Sequence, residues 1–93
     1  MAQYNTGFMY YNGEGIVADK KQAFYWFKKC AKQGNPRGQF YVGFLYYHGE
    51  GVLTDKKQAA FWVKKSWKNG NKLAKDFWDS EELHNYLEND KSK

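Results

Sequence analysis

Apolar residues recur along this chain at intervals of three and four, the spacing that gathers them on one side of a helix. Ala23, Trp26, Phe27, Cys30 and Ala31 form one such stripe, and Gly38, Val42, Leu45 and Tyr46 form another. No window alternates with period two, so strands are not expected. The first stripe opens behind Asp19 with Gln22 three residues on, a capping box whose two side chains would satisfy free amides of the first turn. Lys28, Lys29 and Lys32 crowd its last turns, where cations suit the helix dipole, and Gly34 follows as a helix-ending residue. Asn35 and Pro36 then supply the cap and first position of the next helix.

The pattern is written twice. Residues 10–23, YYNGEGIVADKKQA, return 36 positions later as residues 46–59, YYHGEGVLTDKKQA. Residues 2–37 align with 38–73 without a gap, at roughly half identity, and a period of this size marks stacked structural units. Each unit is one helix–turn–helix hairpin, which cannot bury its apolar face alone and is expected to stack on its copy. The Gly13-Glu14-Gly15 and Gly49-Glu50-Gly51 loops read as tight turns, after which Ile16 or Val52 folds back as an apolar plug. A phosphate cradle is disfavoured, because no strand precedes the loop and no Lys-Ser/Thr follows it. Gly7 and Gly43 fall in mid-helix, each costing about 1 kcal/mol relative to Ala. That cost, accepted twice, points to close helix–helix approach.

The fold expected is therefore all-α, a right-handed solenoid of two full repeats, 2–37 and 38–73, closed by a C-terminal cap at 74–89. Residues 1–89 form one domain and 90–93 fray. Within the cap, helices are expected at 72–78 and 80–89, the second opened by a fresh capping box, Asp79 with Glu82. Phe77, Trp78, Leu83, Tyr86 and Leu87 would cover the last hairpin, and Trp67 would find its packing surface there.

Composition sharpens this. Nineteen of the 93 residues are Trp, Tyr or Phe, which adds buried area to a chain short of core. Residues 1–73 hold twelve Lys or Arg against four acids, net +8, whereas residues 74–93 hold three against six, net −3. A basic body keeps nucleic acid and acidic partners in view. A single cysteine, Cys30, excludes a disulfide framework and a Cys-based metal site. No apolar run is long enough for a membrane span, and the N-terminal residues lack the regions of a signal peptide. MAQYNTG enters the repeat at once, and a chain trimmed from a longer one is expected. The compartment then stays open: cytoplasmic as written, periplasmic or secreted if a signal was removed.

No nucleophile, base and orienting group stand together, so no catalytic residue, metal ligand or cofactor site is assigned. His48 occupies the place of Asn12 in the first copy, and His84, near Glu81 and Glu88, reads as helix surface. Cys30 reads as a small buried hydrophobe. Lys20, Lys21, Lys28, Lys29 and Lys32 repeat as Lys56, Lys57, Lys64, Lys65 and Lys68, a basic ridge expected on the outer side. Binding of a polyanion or nucleic acid along it is the alternative function.

The doubled pattern resembles the Sel-1-like repeat family, relatives of tetratricopeptide repeats. The resemblance rests on Gly7, Tyr10, Gly13, Gly15, Ile16, Asp19, Ala23, Trp26, Lys29 and Gly34. In the second copy it rests on Gly43, Tyr46, Gly49, Gly51, Val52, Asp55, Ala59, Trp62, Lys65 and Gly70. It implies that the first helix of each unit lines a concave face. Residues 2, 6, 9 and 10 serve packing, while Tyr4, Phe8 and Tyr11 form a further stripe, repeated as Phe40, Phe44 and Tyr47. These six aromatics are the candidate partner-binding site. The resemblance implies a non-catalytic protein-interaction module with a protein or peptide partner, such as a bacterial adaptor or an effector- or toxin-associated protein of immunity type. Self-association through exposed repeat surfaces is a further expectation. Some disulfide-rich members resemble beta-lactam-binding or hydrolysing enzymes, but their paired cysteines are missing here.

Overall fold

The computed structural model describes the backbone of residues 2–91 and the side chains of residues 4–87. Six helices follow in order: α1 (Ala2–Asn12), α2 (Lys20–Lys32), α3 (Pro36–His48), α4 (Lys56–Lys68), α5 (Lys72–Ser80) and α6 (His84–Lys91). Each of α2 to α5 packs against the helix before it in sequence, and α6 returns to α4. The result is an all-α solenoid 46 Å long and 26 by 21 Å across.

The caps sit where the sequence places them. The Asp19 carboxylate accepts from the amides of Lys21 and Gln22 at 3.0 and 3.2 Å, and Asp55 accepts from Gln58 at 3.0 Å. The other half of the expected box is replaced. The amide of Asp19 donates to the Tyr10 carbonyl at 2.9 Å, and that of Asp55 to the Tyr46 carbonyl at 3.0 Å. Each glycine loop thus returns to the helix it left, which fixes the angle between hairpin arms.

Two apolar clusters make the core. Ala23, Phe27, Ala31, Val42, Leu45 and Trp62 join the two hairpins, and Ala60, Val63, Ala74, Trp78 and Leu83 join the second hairpin to the cap. Gly43 sits where α3 meets α4: a methyl group there would lie 2.6 Å from a Val63 methyl and 3.0 Å from the Ala59 carbonyl oxygen. Gly7 meets the Phe27 ring in the same way at 2.9 Å. Two buried polar side chains lock the stack. Gln39 donates to the Ala31 carbonyl at 3.2 Å and accepts from Asn69 at 2.9 Å, while Ser66 donates to the Pro36 carbonyl at 2.5 Å.

Four expectations are corrected. Ile16 is not a plug: it is 38% exposed, whereas Val52 packs against the first cluster. The second loop rests on the start of α2, and the first meets no helix in the same way among the described residues. For the same reason Met9, expected to pack, is 40% exposed while its counterpart Leu45 is fully buried, and Trp26 is half-buried while Trp62 is buried. In the cap, α5 does not stop at residue 78. Asp79 stays helical, paired with Lys75 at 2.8 Å, and the turn comes at Glu82, whose φ is 53°. That turn delivers Leu83 into the core, with its amide on the Trp78 carbonyl at 3.0 Å. Of the tail expected to fray, residues 90 and 91 end α6, and 92 and 93 lie outside the described residues.

Candidate partner-binding groove

The first-arm helices α1, α3 and α5 share a face built from rings. On α1 the i, i+4, i+7 spacing stacks Tyr4 on Phe8 at 5.9 Å and Phe8 on Tyr11 at 6.4 Å. Tyr41, from α3, stands against all three at 6.1, 5.6 and 6.3 Å. One unit later the arrangement repeats. Phe40, Phe44 and Tyr47 line α3, and Phe77 from α5 stands against them at 5.7, 5.7 and 5.4 Å. All six candidate residues are brought into one continuous ladder, and every one is half-buried. The sequence reading missed Tyr41 as a member and saw Phe77 only as a cover for the last hairpin. Their signal is the period itself: positions 5, 41 and 77 are equivalent, and Asn5 ends the ladder on α1. Beside the Tyr4 end lies a depression of about 690 Å³, lined by Tyr4, Asn5 and the turns at 33–37 and 70–72.

Each stripe is clamped at its far end. The Lys20 ammonium lies 3.4 Å from the centre of the Tyr11 ring and donates to the Tyr11 carbonyl at 3.2 Å. The Tyr11 hydroxyl donates to Glu50 at 3.2 Å. One repeat on, Lys56 lies 3.5 Å from the Tyr47 ring centre, and the Tyr47 hydroxyl donates to Glu81 at 2.6 Å. Glu81 belongs to the cap and has no counterpart in the repeat, so the cap supplies the same acceptor from a different residue. Lys20 and Lys56, expected on the outer ridge, lie over the Tyr11 and Tyr47 rings of the ladder instead.

The clamp has a pH signature. The short hydrogen bond to Glu81, then burial and the carboxylate charge, push the Tyr47 phenol from its ordinary 10.0 up to about 12. Burial first, then Glu50, raises Tyr11 as well. The folded protein holds the Tyr47 proton after the unfolded chain has released it. The resulting stability is whole below pH ~10 and is lost as pH rises through the folded value. An alkaline titration of phenolate absorbance is expected to show one group at about 12 that Tyr47→Phe removes. A variant titration superimposable on the parent would mean the Tyr47–Glu81 bond does not persist in solution.

A Sel1 repeat family model matches residues 1–35 and again residues 36–71. The chain belongs to the Sel1 repeat family. Among solved structures it is similar to a Sel1 repeat protein from Oxalobacter formigenes, at 37% identity and TM-score 0.82, covering 85% of this chain and 23% of that one. It is also similar to a protective antigen present in uropathogenic Escherichia coli strains that displays an SLR fold. That match has 37% identity and TM-score 0.77, covering 78% of this chain and 16% of that one. This chain therefore spans less than a quarter of the length of either structure. No curated protein matches it. Sel1 repeat folds generally serve protein–protein interaction and are typically non-catalytic scaffolds.

The remaining candidates of these Sel1 repeats are lysines, Cys30 and the two histidines. Many lysines cover rings: Lys28 lies near Phe24, Tyr46 and Trp62, Lys64 near Trp78, and Lys68 and Lys75 both lie 4.9 Å from Trp67. Their stems add apolar cover while the ammonium groups stay wet. Cys30 is 1% exposed, and burial raises its thiol pKa, so it behaves as a small apolar residue. His48 lies 4.4 Å from Phe44 of the ladder and is exposed. His84 is half-buried, and the side chain of Glu88 lies outside the described residues. Among the described residues no cluster of His, Cys, Asp or Glu is placed to hold a metal, and no helix is long and apolar enough to cross a membrane.

Proposed function

We propose that the protein is a non-catalytic recognition module that holds a partner protein or peptide against the aromatic ladder of α1, α3 and α5. One observation carries the reading. A continuous row of half-exposed rings crosses both repeats on α1 and α3, whose only Lys, Arg, Asp or Glu is Arg37. Such a surface suits an apolar or aromatic segment, because rings bring large contact area at low entropic cost. Lys20, Lys56, Glu50 and Glu81 give it a polar rim, the usual border of an interface. The likeness to Sel1 repeat proteins supports the same class of role, that of an adaptor or an effector-associated partner, with self-association as one form of it.

Because the rings also hold helices together, the test must leave them in place. Asn5 and His48 are exposed and adjoin opposite ends of the ladder, so Asn5→Glu with His48→Glu puts charge beside the rings while every Tyr and Phe of the ladder stays in place. Selection of a displayed peptide library on the immobilised protein is expected to enrich segments with apolar or aromatic anchors, and the double variant should lose at least about tenfold in affinity for them. Helical circular dichroism should be unchanged. Enriched peptides that bind the variant equally well would defeat the groove reading.

A further inference from the structure

The outward faces of α2 and α4 carry a second pattern that the groove does not use. Tyr25 and Phe61 occupy the same place in successive repeats and are 52% and 48% exposed. Four residues on, a lysine covers each ring, Lys29 at 5.4 Å and Lys65 at 5.7 Å. In the loops leading to these helices, Val17 and Leu53 are 87% and 88% exposed, each two residues before its capping Asp. The two helices together hold ten lysines and no acidic residue, and eight remain for this face once Lys20 and Lys56 turn to the ladder. The nearest acids, Asp19 and Asp55, are occupied by backbone amides. One exposed aliphatic residue is ordinary on a protein surface. Four apolar side chains exposed in register in both repeats, beside lysines that far outnumber the two capping aspartates, form a pattern.

The charge calls for an anionic partner, and the apolar tips narrow the choice. A nucleic-acid backbone neutralises lysines but offers an aliphatic tip nothing to enter. An anionic bilayer offers both layers: headgroups that attract lysines, and an apolar boundary a few ångströms beneath. Tyrosine and phenylalanine suit that boundary. We propose that the outward face of α2 and α4 docks peripherally on an anionic membrane surface, with Val17, Leu53, Tyr25 and Phe61 entering the interfacial layer and lysines engaging the headgroups. This does not depend on the groove reading, and because the ladder lies on other helices, both surfaces can be engaged together.

Co-sedimentation with phosphatidylcholine vesicles, with and without phosphatidylglycerol, tests the proposal at physiological salt. Binding is expected only when the anionic lipid is present. Lys29→Gln with Lys65→Gln should weaken it about tenfold or more. Val17→Ser with Leu53→Ser leaves the charge unchanged and should weaken it at least about fivefold. All four positions are exposed, and circular dichroism checks that each variant is folded. Three results would overturn the proposal: failure to bind anionic vesicles, equal binding to phosphatidylcholine alone, or loss confined to the lysine variant. The last, with matching retention on duplex DNA, would make the face a general polyanion surface.

Discussion

Replacing Gly51 with valine lowers the stability of the protein by about 3 kcal/mol or more, whereas the same change at Gly15 costs about 1–2 kcal/mol. The two glycines are equivalent in sequence and nearly identical in backbone, with φ of 76° and 74°. Both substitutions therefore carry the strain of a β-branched residue in the left-handed region. Only Gly51 adds a collision. A Cβ there would press on the carbonyl of Lys20 at the start of α2, while one at Gly15 would meet nothing within 4 Å. Backbone cannot move aside as the end of a side chain can. Urea unfolding followed by circular dichroism reads the difference directly, and equal losses at the two sites would show that the second loop does not rest on α2.

Phe27→Ala is expected to cost about 3–5 kcal/mol, a large part of the total stability of a domain this small. Its ring is fully buried. It stacks on Tyr41 at 5.0 Å, lies 5.9 Å from Tyr4, and fills the space left open by Gly7. Truncation thus opens a cavity in the first cluster and removes the floor beneath the ladder. Tyr25→Ala, two positions away on the same helix, is the control. That ring is half in water, and its loss should cost less than about 1 kcal/mol. Thermal melts of the two variants would separate widely, and a mild effect at Phe27 would mean that the hairpins are not joined through it.

The hairpin was legible because its signals are local. Asp19, Asn35 and Asp55 cap the helices they precede, and Phe27, Val42 and Leu45 bury the stripes that their spacing describes. The six candidate rings were legible as stripes on single helices, and the structure brings them together. What escaped was settled between elements. Ile16 and Val52 read alike, and only the presence of α2 beneath one of them distinguishes a plug from a surface residue. Asp79 could cap a new helix or pair with Lys75 inside the old one, and the burial of Leu83 decides for the second. Tyr41 matched neither stripe of its own helix, since its role lies across the gap to α1. Lys20 was assigned to the ridge from helix position alone, but Tyr11 offers it a ring and a carbonyl nearer than solvent.

The pairing of each helix with its neighbour in sequence also governs how the chain acquires and loses structure. The most extensive helix–helix contacts join neighbours in sequence, so a nucleus forms without a long entropic search, and folding of such a topology is fast. The rate is not shared evenly along the molecule. α3 and α4 are held from both sides, while α1 leans on α2 with Met9 and Ile16 uncovered. Assembly in a one-dimensional array starts from its best-supported unit and spreads outward. The second hairpin is that unit, and the outer helices α1 and α6, each packed chiefly on one other helix, open before it does. The aromatic ladder reaches from that unit onto α1, so its α1 half exists only while α1 stays docked on α2.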